Sequence, residues 1–354
     1  MNIATSLKAG LVVLASVSGT IVVSDLVLRS VGYLPQVDNE WLLGRGEDSR
    51  VPDDQLILVR PQMLTENYYN VDPTLKTIVA LGDSFVEGHP VKRSDSYPTI
   101  LGRLLGERGR PVNVLNMGIG DSGPDQHLRL MKAYVLPRLT PDIVIWSFYA
   151  NDVFDNLQQA VYSIENNSLV PLDATKHWLY IRHRIYRSIP LPGTVKESSP
   201  VLRLLFRALE IWGKRDFLLE EPSGIAWSRE KIHLAIEEME RLAQAHGFRV
   251  AYVLIAPQSL YLREQDPTQW SQDFHVAGHE ELRRILEDQG LFIDAWFGGP
   301  ETHVCGSKVS APAWHSLFAD DGRDRNRPGR RHFNEAGYYL LGDIMATCLL
   351  SGTV

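Results

Sequence analysis

Between Lys76 and Phe148 short apolar runs alternate with segments in which apolar residues recur every three or four positions. The runs KTIVAL, VNVLNMG and DIVIWSF are apolar almost throughout, and between them lie YPTILGRLLGERG and HLRLMKAYVLPRL, which read as amphipathic helices. Two further runs of the first kind, RVAYVLIAP and LFIDAWF, follow later, with a long helix predicted from about Ser228 to His246 and a last one from about Asn334 to Leu350. Strands that are apolar on both faces, separated by helices with one apolar face, predict a parallel sheet covered on both sides. The expected fold is a three-layer α/β/α domain around a five-stranded parallel sheet, doubly wound and flavodoxin-like. Ligands in such sheets bind beyond the carboxyl ends of the strands.

The pattern changes at the N-terminus. From Ala9 to Leu28 the chain is almost wholly apolar, with Lys8 before it and Arg29 after it. That length matches the roughly 20 residues a helix needs to cross a bilayer, and Asp25 lies near one end, where an acidic group reaches the interface more cheaply than at mid-membrane. A cleaved signal peptide would use small residues such as Ala15, but the apolar run continues well past them. A buried helix would normally show a polar face. The expected organisation is an uncleaved anchor over 1–30, a linking or wrapping segment over 31–75, and the main α/β domain over 76–354. The flanking cations are too few for the positive-inside rule to give more than weak support to a cytoplasmic N-terminus. The expectation is a single-pass inner-membrane protein with its domain in the periplasm or outside the cell. Within the domain, an insert over 155–227 is far longer than an ordinary crossover. It is rich in aromatic and basic residues, including His177, Trp178, Tyr180 and Arg184. Such an insert is equally well read as a lid or substrate platform and as a structural cap whose Arg and Tyr side chains cover apolar surface.

Composition narrows the chemistry. The 354 residues are 44% hydrophobic and 22% charged, with a net charge of −7. This leaves no broad positive field of the kind that attracts phosphate backbones, so nucleic acid is not an expected partner. The two cysteines, Cys305 and Cys348, form no metal-binding spacing and leave the redox compartment open. His275 and His279 stand four apart on a predicted helix, but without a third ligand or an adjacent glutamate they read as a solvated face. No metal or organic cofactor is expected.

The strongest local signal is Gly82-Asp83-Ser84-Phe85-Val86-Glu87-Gly88, directly after the apolar run Thr77–Leu81. A buried strand ending in Gly-Asp-Ser and turning into a helix puts a serine hydroxyl at the sheet's carboxyl edge, near amides that favour negative charge. Taken alone, the same residues are also good turn and cap formers. Three further blocks follow in order. Val114-Leu115-Asn116-Met117-Gly118-Ile119-Gly120-Asp121-Ser122-Gly123 leads into Pro124-Asp125-Gln126; Ser147-Phe148-Tyr149-Ala150-Asn151-Asp152 ends the third run; and His332-Phe333-Asn334-Glu335-Ala336-Gly337 opens the last helix, with Asn334 as its cap.

With these four blocks, the chain from about Lys76 to Leu350 resembles the SGNH (GDSL) hydrolase superfamily. The resemblance implies Ser84 as nucleophile, His332 as its general base, and the Asn151 side-chain amide in the oxyanion hole. It implies a main-chain amide from the second block at Asp121, or at Gly120 if the loop is shifted by one. Three positions depart from the family pattern: Asp121 and Tyr149 replace glycines, and Gly329 stands where an aspartate three residues before the histidine is usual. Asp321, separated from His332 by the basic run RDRNRPGRR, is one candidate to orient the imidazole. A Ser-His dyad with a main-chain carbonyl is the other. The Asn-Asp pair can also be a simple turn, and a Gly-rich loop is common after any strand.

The resemblance implies a carboxylester hydrolase acting on a small-molecule or glycan ester, in particular a deacetylase of exported or envelope polysaccharide. The same serine and histidine serve an O-acetyltransferase or a lysophospholipase. The three departures from pattern support a different class, a glycan-binding module that keeps the fold without turnover.

Overall fold

The computed structural model describes residues 71–120, 122–158, 161–171, 201, 208, 224–266, 268, 273–295, 302–305, 307–309, 314–319 and 332–352. Nearly all belong to one compact unit made of Pro61–Leu172 and Glu220–Val354. The predicted anchor over 1–30, nearly all of the linking segment and most of the insert lie outside the described residues. Among the described residues no helix is long and apolar enough to cross a membrane.

Strand β1 (Thr77–Gly82) is buried along its whole length and leads into a four-residue helix α1 (Ser84–Glu87). Helix α2 (Tyr97–Glu107), strand β2 (Asn113–Gly118), helix α3 (Pro124–Leu130) and strand β3 (Ile143–Tyr149) follow. The apolar segment HLRLMKAYVLPRL, expected to be one helix, changes geometry part-way, because α3 passes into a π-helical turn over Met131–Val135. The insert opens with helix α4 (Asp152–Gln158) and a hairpin of β4 (Tyr162–Glu165) and β5 (Ser168–Pro171). The hairpin turns on Asn166 and Asn167, both with positive φ, as a two-residue turn matched to strand twist demands.

Helix α5 (Gly224–His246) begins four residues earlier than its apolar period suggests. Strand β6 (Arg249–Ile255), helix α6 (Gln258–Gln265), helix α7 (Phe274–Leu286), strand β7 (Phe292–Ala295), a short hairpin of β8 (Thr302–Val304) and β9 (Ser307–Val309), and helix α8 (Glu335–Leu350) complete the described elements.

The sheet order is β2-β1-β3-β6-β7, all parallel. The expected five-stranded doubly wound sheet is therefore present. Its two faces are read off the strand alternation. Ile78, Ala80, Ile143, Ile145, Ala251 and Val253 face a core shared with α2 and α8. On the opposite face Trp146, Phe148 and Tyr252 form an aromatic cluster with ring centroids 4.9–6.4 Å apart. Polar ties cross both layers: Tyr97 Oη on α2 meets Ser147 Oγ at 2.8 Å, and Tyr252 Oη donates to Glu240 on α5 at 2.6 Å.

One fully buried ion pair, Lys231 Nζ to Asp125 at 2.5 Å, joins α5 to α3. Asp125 also accepts the Val161 and Tyr162 N–H groups, so it anchors the start of the hairpin. Burial pulls the Lys231 ammonium below its usual pKa, with Asp125 pulling the other way. Removing either partner would leave an uncompensated buried charge, at a cost of about 3–5 kcal/mol.

The order in which strands are added to the sheet reverses at β1, since β2 lies on one side of β1 and β3 on the other. At such a switch point the loops after adjacent strands diverge and leave a crevice. The loops after β1, β2 and β3 all open there, and they are the first three sequence blocks.

Candidate active site

Ser84 is the first residue of α1. The turn that presents it is fixed locally: the Phe85 N–H donates to Asp83 Oδ1 at 2.9 Å, and the Gly88 and His89 N–H groups both close on the Ser84 carbonyl at 3.0 Å. Behind this turn β2 passes so closely that a Cβ on Gly118 would lie 2.1 Å from the Glu87 nitrogen. No other residue fits there, which accounts for the glycine of the second block.

His332 arrives from the far end of the chain. Its carbonyl accepts the Ala319 N–H at 2.9 Å, the Asn334 N–H donates to the Leu317 carbonyl at 2.9 Å, and Phe333 bridges Phe318. Asn334 caps α8 as expected, accepting the Gly337 N–H at 3.1 Å, while its Nδ2 donates to the Ser316 carbonyl at 2.7 Å. The imidazole stacks on Phe85 with centroids 4.8 Å apart and meets the His89 ring edge-on at 4.9 Å. These contacts bring His332 Nε2 to 2.8 Å from Ser84 Oγ. A serine O–H that donates to Nε2 requires the ring proton on Nδ1. Both side chains are half-buried, so the pair is dry enough for strong hydrogen bonding and still reachable.

Asn151 sits between β3 and α4. Its carbonyl accepts the Phe154 and Asp155 N–H groups, and its Nδ2 donates to Asp155 Oδ2 at 2.6 Å. A carboxylate accepting from one N–H fixes which way the amide points and leaves the second N–H of Nδ2 for another acceptor. Helix α7 packs directly on this loop, because a Cβ on Gly278 would stand 2.3 Å from the Ala150 carbonyl oxygen. Beside it, Asp152 is buried and its Oδ2 accepts the Tyr149 N–H at 2.9 Å. Burial, reinforced by the charge of Asp83, holds the Asp152 carboxyl well above the usual carboxylate range.

Several expectations are refined. Gly120 was the alternative oxyanion donor, but its N–H is committed to Glu87 Oε2 at 3.0 Å. Asp121, the other candidate, lies outside the described residues, as does Asp321. Tyr149 has a packing role at the position where the family pattern has glycine: it is buried with its ring 4.2 Å from Phe85.

The reading of His275 and His279 as a solvated face is wrong. Both are buried, His275 near the Tyr149 ring and His279 with Nε2 3.8 Å from Asp294 Oδ1. Helix α7 turns these residues inward because Gly278 must meet Ala150. Burial pushes the His279 imidazole down to about 3. Among the described residues no group of three or more His, Cys, Asp or Glu side chains could hold a metal ion. Cys305 and Cys348, left undecided by sequence, are joined as a disulfide.

Sequence reasoning gave no role to Glu87, which holds the Gly120 N–H, or to Asp155, which accepts from Asn151 Nδ2. Glu87 lies inside the first block and Asp155 three residues past the third, and that nearness was the signal that could have found them.

Comparison with known proteins adds the family. A search of curated proteins finds no match. Among solved structures the chain is similar to a lipolytic protein of the G-D-S-L family from Desulfitobacterium hafniense, with 15% identity, 77% of this chain and 99% of that one covered, and a TM-score of 0.39. It is also similar to an acetyl xylan esterase, with 13% identity, the same two coverages and a TM-score of 0.42. A third is the family 3 carbohydrate esterase of Clostridium thermocellum, with 12% identity, 78% and 96% covered, and a TM-score of 0.38. The model of the GDSL-like lipase/acylhydrolase family matches residues 80–340, a span that holds the Ser84 turn and the His332 segment, and the chain belongs to that family of ester hydrolases.

Proposed function

We propose that the protein is a serine carboxylester hydrolase that removes O-acetyl groups from exported or envelope glycan. The observation that carries the catalytic part is the 2.8 Å contact between Ser84 Oγ and His332 Nε2 at the sheet's switch point. His332 takes the hydroxyl proton as Oγ attacks the ester carbonyl carbon. The oxyanion is held by the Ser84 main-chain N–H, the Asp121 N–H and the Asn151 Nδ2–H. The tetrahedral species then collapses, and His332 returns the proton to the departing alcohol. Water, deprotonated by the same imidazole, attacks the acyl-enzyme carbonyl; the acyl–Oγ bond then breaks, His332 returns the proton to Ser84 Oγ, and acetate leaves. Asp321 is the proposed partner of His332 Nδ1.

The export of the domain, held to the inner membrane by 9–28, is supported by the apolar N-terminal run and by the Cys305–Cys348 pair, since disulfides persist in oxidising compartments. The glycan substrate rests on that placement.

The test is to assay the purified protein and Ser84→Ala on an aryl acetate, on acetylated polysaccharides and on lysophospholipids side by side. Release of acetate from polysaccharide by the parent protein, lost by at least about 10⁴-fold in the variant, is the expected result. Equal rates for the two proteins on every substrate would overturn the hydrolase reading. A preference for lysolipid would move the substrate to the bilayer, and transfer of acetyl to an added sugar in place of water would make the enzyme a transferase.

A further inference from the structure

Beneath the Ser84 turn lies a chain of hydrogen bonds that the proposed chemistry does not itself use. Trp146 on β3 points its indole Nε1–H at His127 Nδ1, 3.1 Å away. His127 Nε2 lies 2.8 Å from Ser122 Oγ, and Ser122 Oγ donates to the Ile119 carbonyl at 2.5 Å. All three side chains are buried, with His127 and Trp146 at 0% exposure. The directions are forced by chemistry. An indole N–H only donates, so Nδ1 must accept and the ring proton must sit on Nε2; Nε2–H then donates to Ser122, whose own proton goes to Ile119. A second proton on the imidazole would have to sit on Nδ1, facing the indole donor. Burial likewise pushes the imidazole down to about 3, with the Gly82 carbonyl pulling weakly the other way.

The segment this chain grips is the loop after β2. Ile119 N–H donates to the Gly82 carbonyl at 2.9 Å, and Gly120 N–H is held by Glu87 Oε2 at 3.0 Å. Gly123 N–H is held by Gln126 Oε1 at 2.9 Å. Gly120 and Gly123 are thus anchored locally, Ile119 is tied to β1 through Gly82, and Ser122 is tied through His127 to Trp146 on β3.

We infer that His127 is a positioning residue which, as a neutral imidazole protonated on Nε2, links Trp146 to Ser122 and so fixes the backbone of the loop that supplies the main-chain oxyanion donor. This rests on the reading of that loop as part of the esterase site. It differs from a merely structural role because the requirement is directional: a donor at the Nε2 position must reach Ser122. Glutamine places an amide nitrogen near that position, whereas asparagine reaches only to the Nδ1 position, where it can accept from Trp146 but cannot reach the serine.

The experiment compares His127→Gln, His127→Asn and Ser122→Ala with the parent protein by aryl-acetate kinetics and by amide hydrogen exchange of the peptide spanning 118–123. Ser122→Ala is nearly isosteric and keeps the test open if His127→Asn does not fold. The expected result is that His127→Asn and Ser122→Ala lower kcat by about 10- to 100-fold with KM within about twofold and exchange faster at 118–123. His127→Gln should keep kcat within about threefold and exchange like the parent. Parental kcat and exchange in Ser122→Ala, or equal losses in the glutamine and asparagine variants, would overturn the inference. Should the parent protein show no turnover on any ester, the esterase reading fails on its own and the exchange pattern alone still decides whether His127 braces the loop.

Discussion

The two halves of the Ser84–His332 pair are held in different ways. The serine turn is determined locally: β1 is buried on both faces, Asp83 caps the helix it precedes, and the N–H groups of Gly88 and His89 fold back on the Ser84 carbonyl. Gly118 and Gly82 are pressed against it with no space for a side chain. The histidine segment has no strand of its own. One β-bridge made of two main-chain hydrogen bonds, and the Asn334 Nδ2 contact with Ser316, join it to 316–319, and the Phe333 ring sits among Phe85, Phe318 and Tyr338. Local chemistry fixes Ser84, and a few long-range contacts fix His332. Loss of alignment should therefore come first from the histidine side.

The sharpest way to break the asymmetry is Phe333→Ala. The ring is fully buried, so its removal should cost about 3–5 kcal/mol in a denaturant titration. It should also lower kcat out of proportion to a matched core truncation at Val79, which lies under the serine strand. Equal effects on kcat for equal losses of stability would show that the two sides are equally robust.

A second effect is expected from acid on the serine side. His127 has a folded pKa of about 3 against an ordinary 6.5, so between those values the unfolded chain binds the extra proton. Its contribution to stability is complete above pH 6.5 and is lost as pH falls, by about 1.4 kcal/mol for each unit below 6.5 until the folded value is reached. His279 acts in the same direction. Urea unfolding at pH 7 and pH 5 should show a smaller drop for His127→Gln than for the parent, and identical drops would refute the assignment.

The smallest effect separates the two caps. Asn334→Ala and Asp83→Ala each remove a side chain that caps a helix, at about 1 kcal/mol apiece by thermal unfolding. Asn334→Ala should cut kcat further, because that cap also ties the His332 segment to Ser316.

Much of the candidate site was legible in the sequence. The four blocks singled out Ser84, Asn151 and His332 through the family resemblance they carry, and each block lies at a strand end or a helix start. The apolar runs gave the sheet, since strands buried on both faces carry no competing pattern. The inward turn of His275 and His279 was not legible. Four-residue spacing shows only that two side chains share a helix face, and the direction of that face was set by Gly278 meeting Ala150. The Gly120 alternative fell for a similar reason: a loop's amides look equivalent in sequence until a carboxylate such as Glu87 takes one of them.

Sequence alone determined the order and type of the main sheet elements and the capped helix that follows His332, because local propensity and burial period act over a few residues; Ser84 and His332 were singled out by what the family resemblance implies. Tertiary structure alone decided the 2.8 Å approach of positions 248 residues apart, the joining of Cys305 to Cys348 and the inward face of α7. Those depend on how whole layers pack, and packing is a property of surfaces brought together from distant parts of the chain.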